Sequence, residues 1–268
     1  MPESPRQSPA LDPTVPNVAR MYDYMLGGKE NYASDRAAVA RLVEMAPAVP
    51  QFARLNRAFL HRAVRFAASQ GISQFLDVGA GLPTQESVHE VARAVRPEAR
   101  IAYADNDPVV AAHSRALLGS TPGVTFAVGD IRDPASLLAD PEISGLLDFS
   151  QPVCVLLLAI LHFVTDAEDP ARLVAAIRDA LAPGSYLILS HGTAHGAPPA
   201  VAARSGEASR VYDNATSRIT YRDPAQVSQF LAGFTLVEPG LVHISRWRPP
   251  VPARDEFDGF LAAVGRKD

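Results

Sequence analysis

The chain is poor in cysteine: Cys154 stands alone among 268 residues. A single thiol excludes a disulfide framework and a cysteine-built metal cluster, and no metal site is expected. Cys154 lies in the apolar run Val153–Leu161, where a buried, inert thiol is expected. That run is far too short to cross a bilayer as a helix. Positive charge is also in deficit, with 25 Lys and Arg against 29 Asp and Glu and a net charge of −4. A general nucleic-acid binder draws its affinity from phosphate neutralisation by many cations, so nucleic acid is an unfavoured partner, although a local basic groove stays open. Residues 1–16 carry prolines at 2, 5, 9, 13 and 16 and no apolar core. They read as a disordered tail, neither signal peptide nor anchor. A cytoplasmic protein without membrane contact is expected, and no internal repeat is visible.

What is present is enough apolar residues, 47%, for a substantial core. Residues 17–70 read as helices. Asn17 caps one that runs to Gly27-Gly28, a second spans about Ser34 to Ala46, and a third spans Gln51 to Ser69 with Phe52, Leu55, Phe59, Ala63 and Phe66 on one stripe. Arg54, Arg57, His61 and Arg65 form another row on the third helix, by default a solvated face. From residue 71 the pattern becomes strands alternating with helices: strands at 72–78, 100–104, 124–128, 153–158 and 186–190, and helices at about 86–95, 107–118 and 169–181. Terminal strands are expected at 234–237, 241–244 and 260–264, the last pair antiparallel. Alternation of this kind predicts a doubly wound, mostly parallel α/β sheet of seven strands with right-handed crossovers. Residues 194–218 are small, polar and ambiguous. The division is therefore a tail (1–16), a helical lid or extension (17–70) and a Rossmann-like domain (71–268).

The first strand ends in Asp77-Val-Gly79-Ala-Gly81-Leu-Pro83-Thr84. Two glycines two apart after an apolar strand allow positive φ and bring a ligand against bare backbone. Taken alone, this turn fits a dinucleotide site, a methyl-donor site or an ordinary loop. A dinucleotide site would place a glycine at position 84, where Thr84 stands. Asp105 follows 24 residues after Gly81, near where an acid accepts hydrogen bonds from two ribose hydroxyls. Asn106 can meet an adenine edge, whereas Asp107 before Pro108 reads as a helix cap. Val128-Gly129-Asp130-Ile131 offers a carboxylate for an adenine amino group and an apolar side chain for its ring. The exit of the central strand, Leu158-Ala159-Ile160-Leu161-His162-Phe163, faces the reacting group in such sheets. No Asn/Asp-Pro-Pro-Tyr/Phe stands there, which lowers the case for methylation of an exocyclic base amine.

These segments resemble the class I S-adenosylmethionine-dependent methyltransferases. Arg20–Tyr32, Asn56-Arg57, Gly79–Thr84, Val88-His89-Glu90, Asp105–Pro108 and Trp247-Arg-Pro249 are more narrowly similar to an actinobacterial S-adenosyl methyltransferase family of largely unassigned substrate. The likeness spans residues 17–267, and Leu82-Pro83-Thr84 is that family's usual ending of the turn. It implies S-adenosylmethionine as cofactor, with S-adenosylhomocysteine as product. The cofactor would be held by Asp77, Gly79, Ala80, Gly81, Pro83, Thr84, Asp105, Asn106, Asp130, Ile131, Ala159 and Ile160, with Arg57 for its carboxylate.

His162 is the candidate general base, since histidine titrates near neutrality. A packed histidine holding the turn is the competing reading. Tyr22, Tyr24, Gly28, Asn31 and Tyr32 are candidates for a lid that forms one substrate wall. The expected reaction is methyl transfer to a small-molecule O- or N-nucleophile. A non-catalytic S-adenosylmethionine-binding regulator, an RNA methyltransferase using the Arg54–Arg65 row and an NAD-dependent oxidoreductase stay open as alternatives. The missing Tyr-x-x-x-Lys pair disfavours the last. Monomer and homodimer are both open.

Overall fold

Short apolar strands bounded by turn residues dictate a parallel sheet, and the computed structural model contains one; it describes residues 12–83, 87–213, 215, 218–251 and 257–268. Strands β1 (Gln74–Val78), β2 (Arg100–Asp105), β3 (Val124–Val128), β4 (Cys154–Leu158) and β5 (Tyr186–Gly192) are parallel in the spatial order 3-2-1-4-5. Beyond them come β6 (Thr235–Leu236), β7 (Val242–His243) and β8 (Phe260–Arg266). β8 lies antiparallel against β5, and β6 and β7 pair with opposite ends of β8. The seven-stranded expectation is thus met with one refinement: the last position is shared by two two-residue strands, giving eight.

Before the sheet come α1 (Val18–Met25), α2 (Ala33–Met45) and α3 (Val49–Ser69). Between and after the strands lie α4 (Val88–Arg93), α5 (Pro108–Leu118), α6 (Pro134–Ala139), α7 (Pro141–Leu146), α8 (Pro170–Ala180), α9 (Pro199–Asp213) and α10 (Pro224–Ser228). Five of these open on the same dipeptide. Asp107, Asp133, Asp140, Asp169 and Asp223 each cap a helix whose first residue is proline. The carboxylate accepts orphan first-turn amides, and proline occupies the one position where a missing N–H costs nothing. The ambiguous stretch 194–218 contains α9, whose small residues give a weak apolar periodicity. The two short helices α6 and α7 were not anticipated.

Strand pleating sorts the core into two layers, because successive side chains point to opposite faces. Phe75, Ile101, Tyr103, Cys154, Leu156, Tyr186 and Ile188 pack with α3, α4, α5 and Trp247. Leu76, Ala102, Val155, Leu157, Leu187 and Leu189 pack with α6, α7, α8 and Phe230. Burial holds the Cys154 thiol well above its ordinary pKa, so it stays protonated. A third cluster joins Met21, Met25, Ala38, Leu42 and Ala53 to Tyr212 of α9. Two buried polar groups fix this third layer. Asp35 accepts from Arg20 Nε at 2.7 Å, Asn17 N at 2.8 Å and Tyr32 N at 2.7 Å. Asn17 caps α1 and also reaches the Asp107 carboxylate, tying the helical layer to the end of β2. Among the described residues no helix is long and apolar enough to cross a membrane.

Candidate active site

A cavity of about 1230 Å³ opens at the carboxyl ends of the parallel strands, where doubly wound sheets bind ligands. Its floor is built by pleat parity. Asp77 shares the face of Phe75 on β1, and Asp105 shares the face of Ile101 and Tyr103 on β2, so both acids emerge on the α3 side. Both are buried, at 6% and 8% exposure. Burial pushes Asp77 up to about 7; Arg57 of α3 works against that rise and the Asp105 charge adds to it. Burial likewise raises Asp105 to about 6, opposed by amide hydrogen bonds. Those bonds come from Gly81 N at 2.9 Å and Asp107 N at 3.0 Å. The β2 acid therefore shapes the β1 turn.

The two glycines of that turn do different things. Gly79 (φ 72°) has Ile160 packed on it so tightly that a Cβ would lie 2.6 Å from the Ile160 Cδ1. Gly81 (φ 65°) faces no protein atom within 4 Å of such a Cβ, because the space beyond it is cavity. Ala80, Asn106, Ile131 and Ala159 also line the cavity. Asp130 is half-buried and held from two sides, by Asn106 Nδ2 at 2.9 Å and by Arg132 N at 2.9 Å. Arg132 continues to Glu168 at 2.6 Å and to the Phe163 carbonyl at 2.8 Å, linking the β3 turn to the β4 exit. Pro83 does not border the cavity, and Thr84 lies outside the described residues.

The exit of β4 is strained and braced. Ala159 adopts φ 53°, which a side chain seldom tolerates without external restraint. Its N–H donates to Ser190 Oγ at 2.9 Å; Ser190 donates to Asn56 Oδ1 at 2.6 Å; Asn56 Nδ2 donates to Tyr22 Oη at 3.0 Å. Tyr22 completes the relay by donating to the Ala53 carbonyl at 3.1 Å. Four elements thus meet at one turn. Sequence reasoning gave Asn56 and Ser190 no role, although Ala53, Asn56, Arg57 and Leu60 stand at the spacing of one helix face and all line the cavity. The Arg54–Arg65 row splits accordingly: Arg54 and Arg65 are exposed, while Arg57 and His61 are half-buried.

His162 lines the cavity, but its Nδ1 accepts the Gly192 N–H at 3.2 Å. Burial, with His191 and Arg222 adding, holds its pKa well below the ordinary value. A neutral ring with Nδ1 so engaged carries its proton on Nε2 and has no free lone pair, which is the packed alternative rather than the base. His191 and His195 stand four apart, a spacing that on a helix suits a metal. Here His191 ends a strand, and its Nε2 faces Arg222 Nη1 at 3.0 Å. Burial lowers it to about 4. Arg222 is itself buried and pins the loop after β4 through the Leu161 and Val164 carbonyls and Asp166. No sequence motif pointed to it.

Of the proposed lid residues, only Tyr22 reaches the cavity. Tyr24 and Tyr32 are exposed, at 40% and 38%. Gly28 and Asn31 instead fold back on Asp23, which takes Glu30 N and Asn31 Nδ2, both at 3.0 Å. A short acid on α1 captures the loop that follows it and draws those residues away from the opening. The walls above the strand ends come from Met25, Leu42, Val49 and Phe52, from Val201 and Tyr212 of α9, and from Tyr221, Phe257 and Phe260.

The sequence matches a family described as S-adenosyl methyltransferase over residues 4–268. A DUF574 family protein from Streptomyces avermitilis is 39% identical with a TM-score of 0.88, over 95% of this chain and 98% of that one. A candidate methyltransferase from Thermobifida fusca is also 39% identical, with a TM-score of 0.89 over 99% and 100% of the two chains. Human N-acetylserotonin methyltransferase, solved with S-adenosylmethionine, shares the fold at 15% identity and a TM-score of 0.50, over 94% of this chain and 63% of its own. A search of functionally curated proteins finds no match.

Proposed function

The chain belongs to the S-adenosyl methyltransferase family and is an S-adenosylmethionine-dependent methyltransferase, and from that premise we propose that its cavity transfers a methyl group to a small-molecule O- or N-nucleophile. The observation that carries the reading is the pair of buried acids, Asp77 and Asp105, on one face of a floor whose Gly81 opens onto cavity space. When bound, the cofactor supplies a methyl group already activated by a sulfonium leaving group.

The residues fit that donor. Asp105 is set to accept ribose hydroxyls while its other contacts keep the Gly81 turn in shape. Asp130 and Asn106 form a polar edge for adenine, and Ile131 packs on its ring. Asp77 and Arg57, a cation close enough to oppose the burial-driven rise of that acid, suit the two charges of an amino-acid tail. Ala159 and Ile160 border the reacting group. The helices before residue 70 act as roof and wall of the acceptor space, with Tyr22 and Asn56 as the brace. Rate then comes from alignment in a dry site rather than from covalent help.

The cavity exceeds the roughly 300–1,000 Å³ of a single-ligand pocket, which leaves room for an acceptor beside the donor. Calorimetric titration tests the reading. S-adenosylhomocysteine should bind in the micromolar range or tighter and NAD should not. Comparable binding of NAD, or none of S-adenosylhomocysteine, sinks the assignment.

A further inference from the structure

Two phenols on the upper wall of the cavity have hydroxyls that no described protein group satisfies. Tyr212, near the end of α9, is only 9% exposed, and Tyr221 is half-buried in the segment that follows. Both line the cavity. Neither hydroxyl is hydrogen-bonded to another described residue, whereas Tyr22 and Tyr103 are bonded to Asn56 and His89. Buried phenols normally find a partner, and an unpartnered one facing a cavity is available to a ligand.

Their position is informative. A Cβ built on Gly192 would lie 3.6 Å from the Tyr221 ring and 3.4 Å from His162 Nδ1, so Tyr221 sits beside the ends of β4 and β5. The Tyr212 ring packs on Phe163 of the β4 exit at 5.9 Å. The remaining wall there is apolar and aromatic, with Phe52, Phe163, Phe257 and Phe260. Charged side chains on this wall are committed elsewhere: Asp23 holds Glu30 and Asn31, and Arg204 is exposed and pairs with Glu207. Burial raises the pKa of both phenols, and Tyr221 adds to the rise at Tyr212. They therefore keep their protons at neutral pH and donate.

We propose that this chamber takes a neutral aryl hydroxyl compound and holds its oxygen as the phenolate between Tyr212 and Tyr221. The proposal deepens the methyl-transfer reading above and rests on it. On binding, the acceptor O–H bond breaks, the electron pair stays on oxygen and the proton passes to bulk water. Two un-ionised donors in a low-dielectric wall stabilise that oxyanion in the manner of an oxyanion hole. No protein base is needed, in keeping with a His162 whose Nδ1 lone pair is occupied. An amine would enter as an ammonium without a counter-charge, and a carboxylate would already carry its charge without gaining nucleophilicity.

The test uses the full chain saturated with S-adenosylhomocysteine and titrated with 2-naphthol, with the naphtholate absorbance followed against pH. The pKa of bound 2-naphthol should fall by about one or more, since a tenfold preference for the ionised form corresponds to one pH unit. Tyr221→Phe and Tyr212→Phe should each weaken naphthol binding about tenfold or more and reverse most of that fall, while S-adenosylhomocysteine affinity stays within about twofold. 2-Naphthoate and 2-naphthylmethylamine should bind at least about tenfold less tightly than the naphthol. An unshifted or raised naphthol pKa, equal binding of the naphthoate or the amine, or Phe variants indistinguishable from the parent would each overturn the proposal. Failure of S-adenosylhomocysteine to bind appears in the first titration and overturns the cofactor reading beneath it. Failure of naphthol in a protein that binds S-adenosylhomocysteine overturns this proposal alone.

Discussion

The two walls of the cavity are built on different principles. On the strand side, Asp77, Gly81, Asp105, Asp130 and Ala159 all stand within a few residues of a strand end, and each is placed by the pleat and turn that deliver it. On the helical side, Tyr22, Phe52, Tyr212, Tyr221 and Phe257 come from segments far apart in sequence and meet only because helices pack. Local geometry fixes the first wall, so its chemistry is constrained and suits one donor. Packing fixes the second, so it can change shape and partner without disturbing the first. The seam between them is the relay Tyr22–Asn56–Ser190–Ala159.

If this contrast is right, the helical wall breaks globally and the strand wall breaks pointwise. The largest effect is expected at Asp35, which is fully buried and gathers Arg20, Asn17 and Tyr32. Asp35→Ala leaves a buried guanidinium uncompensated, at a cost of about 3–5 kcal/mol. Calorimetry should show the melting temperature falling by about 10 °C for a chain of this length. A fall under about 2 °C would mean the helical layer is not held this way.

Asp105→Asn should act on binding instead. The amide presents a donor toward the Gly81 or Asp107 N–H and loses the charge, and bonds to charged groups are worth about 1.5–3 kcal/mol. S-adenosylhomocysteine affinity should drop roughly tenfold to hundredfold by titration calorimetry, with melting little changed. An equal loss of stability and affinity would erase the distinction between the walls.

The smallest effect is the pH response of Asp77. A carboxyl raised from 3.8 to about 7 binds an extra proton in the folded state between those values. Its contribution therefore favours folding at low pH and is lost as pH rises through about 7. The ligand-free protein should lose stability from about pH 5 to 8, and S-adenosylhomocysteine, whose ammonium needs the ionised acid, should bind about tenfold tighter at pH 8 than at pH 6. Asp77→Asn should flatten both curves. Curves that keep their slope in that variant would assign the proton elsewhere.

Much of this was legible in advance. Asp77, Asp105 and Asp130 end apolar strands at regular intervals, and alternation alone puts strand ends together on one edge of a parallel sheet. Three of the five Asp-Pro helix starts likewise announce themselves, whereas Asp133-Pro134 and Asp140-Pro141 sit so close that their short helices pass for loop. The lid residues misled because tyrosine and glycine near a bend look alike whether they face a ligand or solvent; capture of that loop by Asp23 decides it. His162 misled because a histidine's position says nothing of which ring nitrogen is already engaged.

By itself, then, the sequence determined the sheet and the strand-end acids, because strand periodicity and turn chemistry act over a few residues, and the donor followed from the family resemblance that those segments carry. Only the tertiary structure decided the helical wall, the brace on Ala159 and the two phenols that have no partner among the described residues. Those depend on which distant side chains share a volume after packing, and no local periodicity encodes that.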